Sequence, residues 1–347
     1  MRIFILLLLA SATAYGQAIE VQTRPDAIYV ETLAGDLTPI ERVFFHIILH
    51  NTSNAPVDIE SVRFSLTNVN GAALSGQYSG AALWTLFDSA IDRRRIEPTS
   101  KQSLTLNPDE RKAISDIFFD FPTGFVGDSL TVEVEHSSGG KTAQTKTVTP
   151  IQRTPGFSAR LPFEGVWYVA SEHSFLDRHK RFLAESYAYD FLQIGAGGRS
   201  FQRDGTRNSD YYAYGKRVLA AKEGSIAFVR DDIVENTPGT PNFREPTGNV
   251  VIIDHGNNQF SVYEHLRPNS VSVSVGARVQ AGDPIGEVGN SGDALEPQLH
   301  FHVMNKVDPN QADGIPVVFS RWYSTAFGRS SVAHETGMLP RGEFVSP

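Results

Sequence analysis

The stretch from Asn249 to Met304 holds His255, His265, His300 and His302, four of the ten histidines in the chain. The chain has no cysteine, so a metal bound here has only His, Asp and Glu to bind to. Gln298, His300 and His302 alternate with Leu299, Phe301 and Val303. At the period of two of a β-strand, the polar set shares one face and the apolar set the other. Phe260, Val262, Glu264 and Leu266 read as a second strand, with His265 on the face of Ser261 and Tyr263. Imidazoles gathered on one wall of a sheet suit a metal site better than an apolar core. His255 stands in the turn Asp254-His255-Gly256-Asn257 and is expected to bond locally.

The elements that must position these residues belong to a mostly β chain of 347 residues, long enough for two cores. Its formal net charge of −8, with no basic run, argues against nucleic-acid binding. Met1-Arg2, the apolar run Ile3 to Ala10 and the small residues that follow have the form of a secretory signal peptide over 1–16. That run is too short to span a bilayer, and no later segment could. The expectation is an exported protein, periplasmic or extracellular.

Residues 17–152 read as an immunoglobulin-like β-sandwich. Val43, Phe45, Ile47 and Leu49 alternate with Phe44, His46, Ile48 and His50, and similar runs follow at Val62 to Leu66 and Leu130 to Val134, separated by turn residues. His46 and His50 share a strand face, read here as solvated. Pro150 to Gly156 reads as a linker. An antiparallel β-sheet domain over 160–327 follows, with loop-like segments from Gly195 to Gly205 and Asn236 to Pro246 rimming its site. Residues 328–347 read as a loosely packed polar tail.

The second domain resembles the lysostaphin/LytM-type zinc metallopeptidases, which are peptidoglycan endopeptidases of the duplicated hybrid motif fold. The resemblance runs from about Trp167 to Asn305. It is carried in order by AYDF (188–191), GKRVLAAKEGSIAFV (215–229), GNVVIIDHG (248–256), YEHL (263–266), GARVQAGDPIGEVGNSG (276–292) and LHFHV (299–303). The segment Gly276 to Gly286 also resembles the hairpin of lipoyl and biotinyl carriers, but no lysine stands in the turn. The resemblance implies Zn²⁺ held by His, Asp and His, with Asp190 as the carboxylate ligand and His265 as the assisting histidine of Tyr-x-His-Leu.

Two positions depart from the family pattern. Ser186 stands where the first zinc ligand belongs, so a longer excursion must bring in His173 or His179; His179 needs the shorter one. A gap-free register makes His300 the second histidine ligand, puts Gln298 where an assisting histidine belongs, and leaves His302 beyond the motif. A register shifted by two residues would use His300 and His302 as the pair, moving the ligand about 6–7 Å along the strand. That displacement is far larger than bonds of about 2.0–2.1 Å tolerate.

Gln298 donates hydrogen bonds but accepts no proton, so the base role would fall to His265 or His302. The expected function is an exported zinc endopeptidase acting on peptidoglycan peptides, with the first domain available to an envelope protein partner. Gln298 and Ser186 motivate the alternative of a weakened or inactive relative that binds wall peptides or a partner as a regulator. Two histidines and a carboxylate also suit an iron(II) oxygenase, but the motif order and the export signal weigh against it.

Overall fold

The computed structural model describes residues 18–33, 40–68, 70–71, 73–79, 104–125, 127–153, 156–171, 179, 182–326 and 330–347. The signal peptide expected at 1–16 and His173 lie outside them. The chain divides into two compact units between Ile151 and Gln152. It is nearly all β; among the described residues Leu183–Glu185 and Asn208–Asp210 form 3-10 turns, and His179 is also in 3-10 conformation.

The first unit is a nine-stranded sheet whose long strands are Ile40–Asn51, Val57–Asn68, Arg111–Pro122, Gly127–Ser138 and Lys141–Gln152. The alternation in the sequence is the alternation of the fold: Val43, Phe45, Ile47 and Leu49 meet Val62, Phe64, Leu66, Leu130, Val132 and Val134 in one buried core. The opposite face of Ile40–Asn51 is not solvated throughout. Phe44 is buried, and His46 packs edge-on against it at 4.8 Å between centroids. His50 bonds to Asp109 Oδ1 at 2.9 Å through Nε2 and to Glu20 Oε2 at 3.3 Å through Nδ1. Lys141–Gln152 takes in Pro150, opposite Ser129, so part of the linker expected from composition is strand.

The second unit is built on an eleven-stranded sheet, antiparallel except where Phe157–Ala159 runs parallel to Val317–Thr325. Its centre is the order Tyr189–Leu192, Leu299–Met304, Phe260–Leu266, Asn249–Asp254, Gly224–Arg230. Directly opposed residues of antiparallel strands put their side chains on the same face. One row therefore carries Tyr189, Phe301 and Tyr263 into the core, all three fully buried. Fully burying each such ring contributes roughly 1.5–3 kcal/mol. The adjacent row carries Asp190, His300 and Glu264 to the opposite face. A chain of hydrogen bonds anchors the core side: Ala221 N–H donates to Tyr263 Oη at 2.8 Å, Ser261 Oγ lies 3.1 Å from that hydroxyl, and His255 Nε2 is 2.7 Å from Ser261 Oγ. His255 Nδ1 bonds to the Glu223 carbonyl at 2.7 Å, the local role expected for it.

The C-terminal residues are not a loose tail. Val332–Gly337 pairs with Val317–Thr325, and Phe344–Ser346 pairs with both Trp167–Ser171 and Val317–Thr325. Leu339 and Val345 are buried at 1% exposure each, and Phe344 packs against Tyr168.

The loops on the site face are tied to one another. Asn236 Nδ2 donates to the carbonyls of Gly292 and Ala294 at 2.8 and 3.0 Å. Gly248 and Gly292, both at positive φ, pack backbone to backbone: a Cβ on Gly292 would lie 2.4 Å from Pro246 O and 2.5 Å from Gly248 N. Gly292→Ala is therefore expected to combine left-handed strain with a clash against main chain. The loss should exceed about 2 kcal/mol and lower the melting temperature of this unit by about 4–8 °C, as read by calorimetry.

Candidate metal centre

Asp190 reaches the site from the short strand Tyr189–Leu192, where Phe191 and Tyr189 alternate with it into the core. Opposite it on Leu299–Met304, His300 Nδ1 donates to Asp190 Oδ1 at 2.8 Å. His179 comes from outside the sheet. The chain turns back between it and Asp190 through bonds from Phe182 N to His179 O, Glu185 N to Phe182 O and Ala188 N to Glu185 O, at 2.9, 3.0 and 2.9 Å. This brings His179 Nε2 to 3.5 Å from Asp190 Oδ2. Ser186, which stands at the family's ligand position, instead turns its hydroxyl to the carbonyls of Leu183 and Phe182 at 3.0 and 3.3 Å.

His179, Asp190 and His300 are all buried, and one ligand atom from each lies within 4.8 Å of the others. A tetrahedral centre with bonds of about 2.0–2.1 Å has ligand–ligand edges of about 3.3–3.4 Å. The 2.8 and 3.5 Å separations at Asp190 bracket that edge. Two imidazoles and one carboxylate are also the donor set that zinc takes in open sites. The residues fit the metal.

The electrostatics agree. Burial works to raise the Asp190 carboxyl, but His179, His300 and His265 outweigh it and hold the group well below the usual carboxylate range. Asp190 therefore offers a carboxylate at any ordinary pH.

His265 approaches from Phe260–Leu266 with its ring 5.7 Å from that of His300. Strict alternation would send it to the core face with Ser261 and Tyr263. Instead its φ is +62° and the register slips between Asn249 and Val251 on the neighbouring strand. This bulge lets the consecutive residues Glu264 and His265 both line the same cavity, which periodicity alone could not show. That cavity, of about 420 Å³, is lined also by His179, His300, Glu185 and Asp293.

Gln298 and His302 sit differently. Gln298 is 9% exposed, just before Leu299–Met304, and is not among the residues lining the cavity. His302 is buried, and its Nδ1 lies 3.1 Å from His300 Nε2. With His300 Nδ1–H given to Asp190, Nε2 accepts and His302 Nδ1–H donates. Burial first, then the neighbouring imidazoles, push His302 well below the usual histidine range, so it stays neutral. It borders a second cavity beside the site, formed with Phe228, Arg230, Val262 and Met304.

Spacing in the sequence does not single out Glu264 as a site residue. It is 4% exposed and lines the cavity beside His265 and His300. Burial, then the charges of Glu185, Asp190 and Asp293, push it well above the usual carboxylate range. Its signal in the sequence was a lone acid inside a strand whose other members are otherwise buried without charge.

Residues 209–312 match the family described as Peptidase family M23. A segment of 89 residues is 33% identical to Cell division protein DipM of Caulobacter vibrioides, covering 26% of this chain and 12% of that protein. A segment of 56 residues is 43% identical to Murein hydrolase activator EnvC of Escherichia coli, covering 16% and 13%. The chain thus aligns with about an eighth of the length of either relative. Among solved structures, the catalytic domain of the prophage-encoded M23 protein EnpA from Enterococcus faecalis aligns at 18% identity over 45% of this chain and 93% of that one, with a TM-score of 0.30. The sequence match rather than this superposition carries the assignment: the second unit of the chain contains a domain of peptidase family M23.

Proposed function

We propose that the chain is an exported zinc metallopeptidase that hydrolyses peptide bonds of peptidoglycan. The observation that supports this most is the buried group of His179, Asp190 and His300, whose two histidines line a cavity together with His265. In this reading those three residues hold Zn²⁺. When bound, zinc supplies Lewis acidity toward a peptide carbonyl and acidifies water. Asp190 would supply the carboxylate ligand and balance charge, and His300 would ligate through Nδ1, the nitrogen that faces Asp190, leaving its Nε2–H for His302 Nδ1. His302 fixes the ring of His300 from the other side, the positioning role that neighbours of metal-bound imidazoles commonly fill. His265 is the imidazole in the cavity that accepts a proton from the attacking water and returns it to the leaving amine. Gln298, lacking a basic atom and lying away from the cavity lining, has no part in proton transfer.

A second reading is favoured by Gln298 itself and by the relative named a murein hydrolase activator. Here the same site binds wall peptides or a partner protein without cutting, and the first unit docks an envelope protein. The family name supports peptidase chemistry, whereas the missing assisting histidine supports regulation.

The test is peptide release from purified peptidoglycan sacculi by the zinc-loaded full chain. Release of soluble peptides is expected, with loss on EDTA treatment. His265→Ala should lower the rate by about 10²–10⁴ while leaving zinc near one per chain. Stoichiometric zinc with sacculus binding but no release would contradict the peptidase and favour the regulator.

A further inference from the structure

The cavity at the metal centre continues beyond the metal group. A second cavity, of about 350 Å³, adjoins it and shares Thr247, Glu264 and Pro309 with it. Its floor is a row of opposed residues on the site face: His302, Val262, Ile252 and Phe228. This row stands two residues along the strands from the row of His300 and Glu264, or about 6–7 Å. Val250 and Met304 extend the floor. The charged side chains at its edge are matched. Arg230 Nη1 donates to Glu245 Oε2 at 2.6 Å, and its Nε lies 3.5 Å from Asp232 Oδ1. Asp308 accepts from Asn310 N–H and from Gln311 Nε2, each at 3.0 Å.

Phe228 reaches this face because its strand breaks the period of two. Ile226 is buried opposite Ile253 in the core row, so strict alternation would send Phe228 into the core as well. The register instead slips between Ile226 and Phe228, which leaves Ala227 as the extra residue and sets Phe228 opposite Ile252. A bulge re-aims a side chain, as the one at His265 does for the metal cavity. The outcome is an aromatic ring 43% exposed at the second cavity, which Val307, 45% exposed, also lines. A ring turned out of a core forgoes the stabilisation that burial would give it. Phe228 is no scattered surface residue, since it continues the buried floor of Val262, Ile252 and Met304.

We propose that Phe228 is a specificity-determining residue, and that the cavity it edges takes a bulky apolar side chain of the peptide presented to the metal centre. This rests on the peptide-directed reading above and adds the class of side chain that the peptide carries. A neutral occupant leaves the matched charges at the edge undisturbed. A charged one would meet an apolar floor without a partner of its own. Phe228 stands three strands across the sheet from His302, about 14–15 Å at the usual strand spacing. In an extended peptide the side chain it receives therefore belongs to a residue within about four positions of the bond at the metal.

The test uses the zinc-loaded full chain and fluorescently labelled alanine heptapeptides in which each position in turn is Gly, Leu, Phe or Lys. Binding is read by anisotropy as a dissociation constant, and cutting by mass spectrometry. At one position or more, Leu or Phe should bind about tenfold or more tightly than Gly, and Lys should not. In Phe228→Ser that preference should fall to about threefold or less, with zinc content and melting temperature kept. Val307→Ser should lower it in the same direction. Phe243→Ser, which changes an exposed ring that lines neither cavity, should leave it unchanged. Equal binding of the Gly, Leu and Phe peptides by the wild type overturns the subsite. So does a full preference in Phe228→Ser, or an equal loss in Phe243→Ser, and each leaves the peptide-directed reading standing. Absence of binding to every peptide also overturns the subsite, and absence of binding to sacculi as well overturns the reading on which it rests.

Discussion

Everything in the second unit hangs on the pleat of one antiparallel sheet. Three neighbouring strands are held in a register that opposes Asp190 to His300 and Glu264 to His300. The next row, Tyr189, Phe301 and Tyr263, goes the other way into the core. A slip of one residue would bury the carboxylates and expose the aromatic rings, so the apolar row holds the polar row in place. The precision needed for metal bonds is thus inherited from packing: Tyr263 and Phe301 lie 5.2 Å apart between centroids, and Ala221 N–H clamps the Tyr263 hydroxyl. Only His179 and His265 escape the lattice. One arrives by successive tight turns and the other by a bulge with positive φ.

That division decides what was legible in the sequence. Period-two alternation revealed the strands of both units and the shared face of His300 and His302, because a half-buried strand must alternate. The gap-free register pointed to His300 and the shorter excursion to His179, and the structure brings one ligand atom of each within 4.8 Å of Asp190. Alternation failed at His265, since a bulge breaks the period that the reading assumes. It failed for the C-terminus too, where pairing with Val317–Thr325 comes from backbone hydrogen bonds that composition does not display. His302 looked like a spare base on the site face. Its ring instead lies against His300, a relation of side-chain direction that spacing cannot convey.

Glu264 shows a different limit. In the sequence it alternates with Phe260, Val262 and Leu266 on one strand face, which says nothing of what that face meets. Only the fold shows that Glu185, Glu264 and Asp293 converge on the cavity that His179, His265 and His300 line. Gln298, where the family pattern expects a histidine, lies away from the cavity, whereas Glu264 lines it.

The most direct test of this account is a zinc titration of the EDTA-stripped full chain against a competing chelator, for the wild type, His300→Ala and His302→Ala. The wild type should take close to one zinc per chain. His302→Ala should keep that stoichiometry with affinity weaker by about 10–100-fold, as expected when a supporting neighbour of a ligand is lost. His300→Ala should bind none above background. Stoichiometric zinc in His300→Ala together with its loss in His302→Ala would contradict the register on which the site is built.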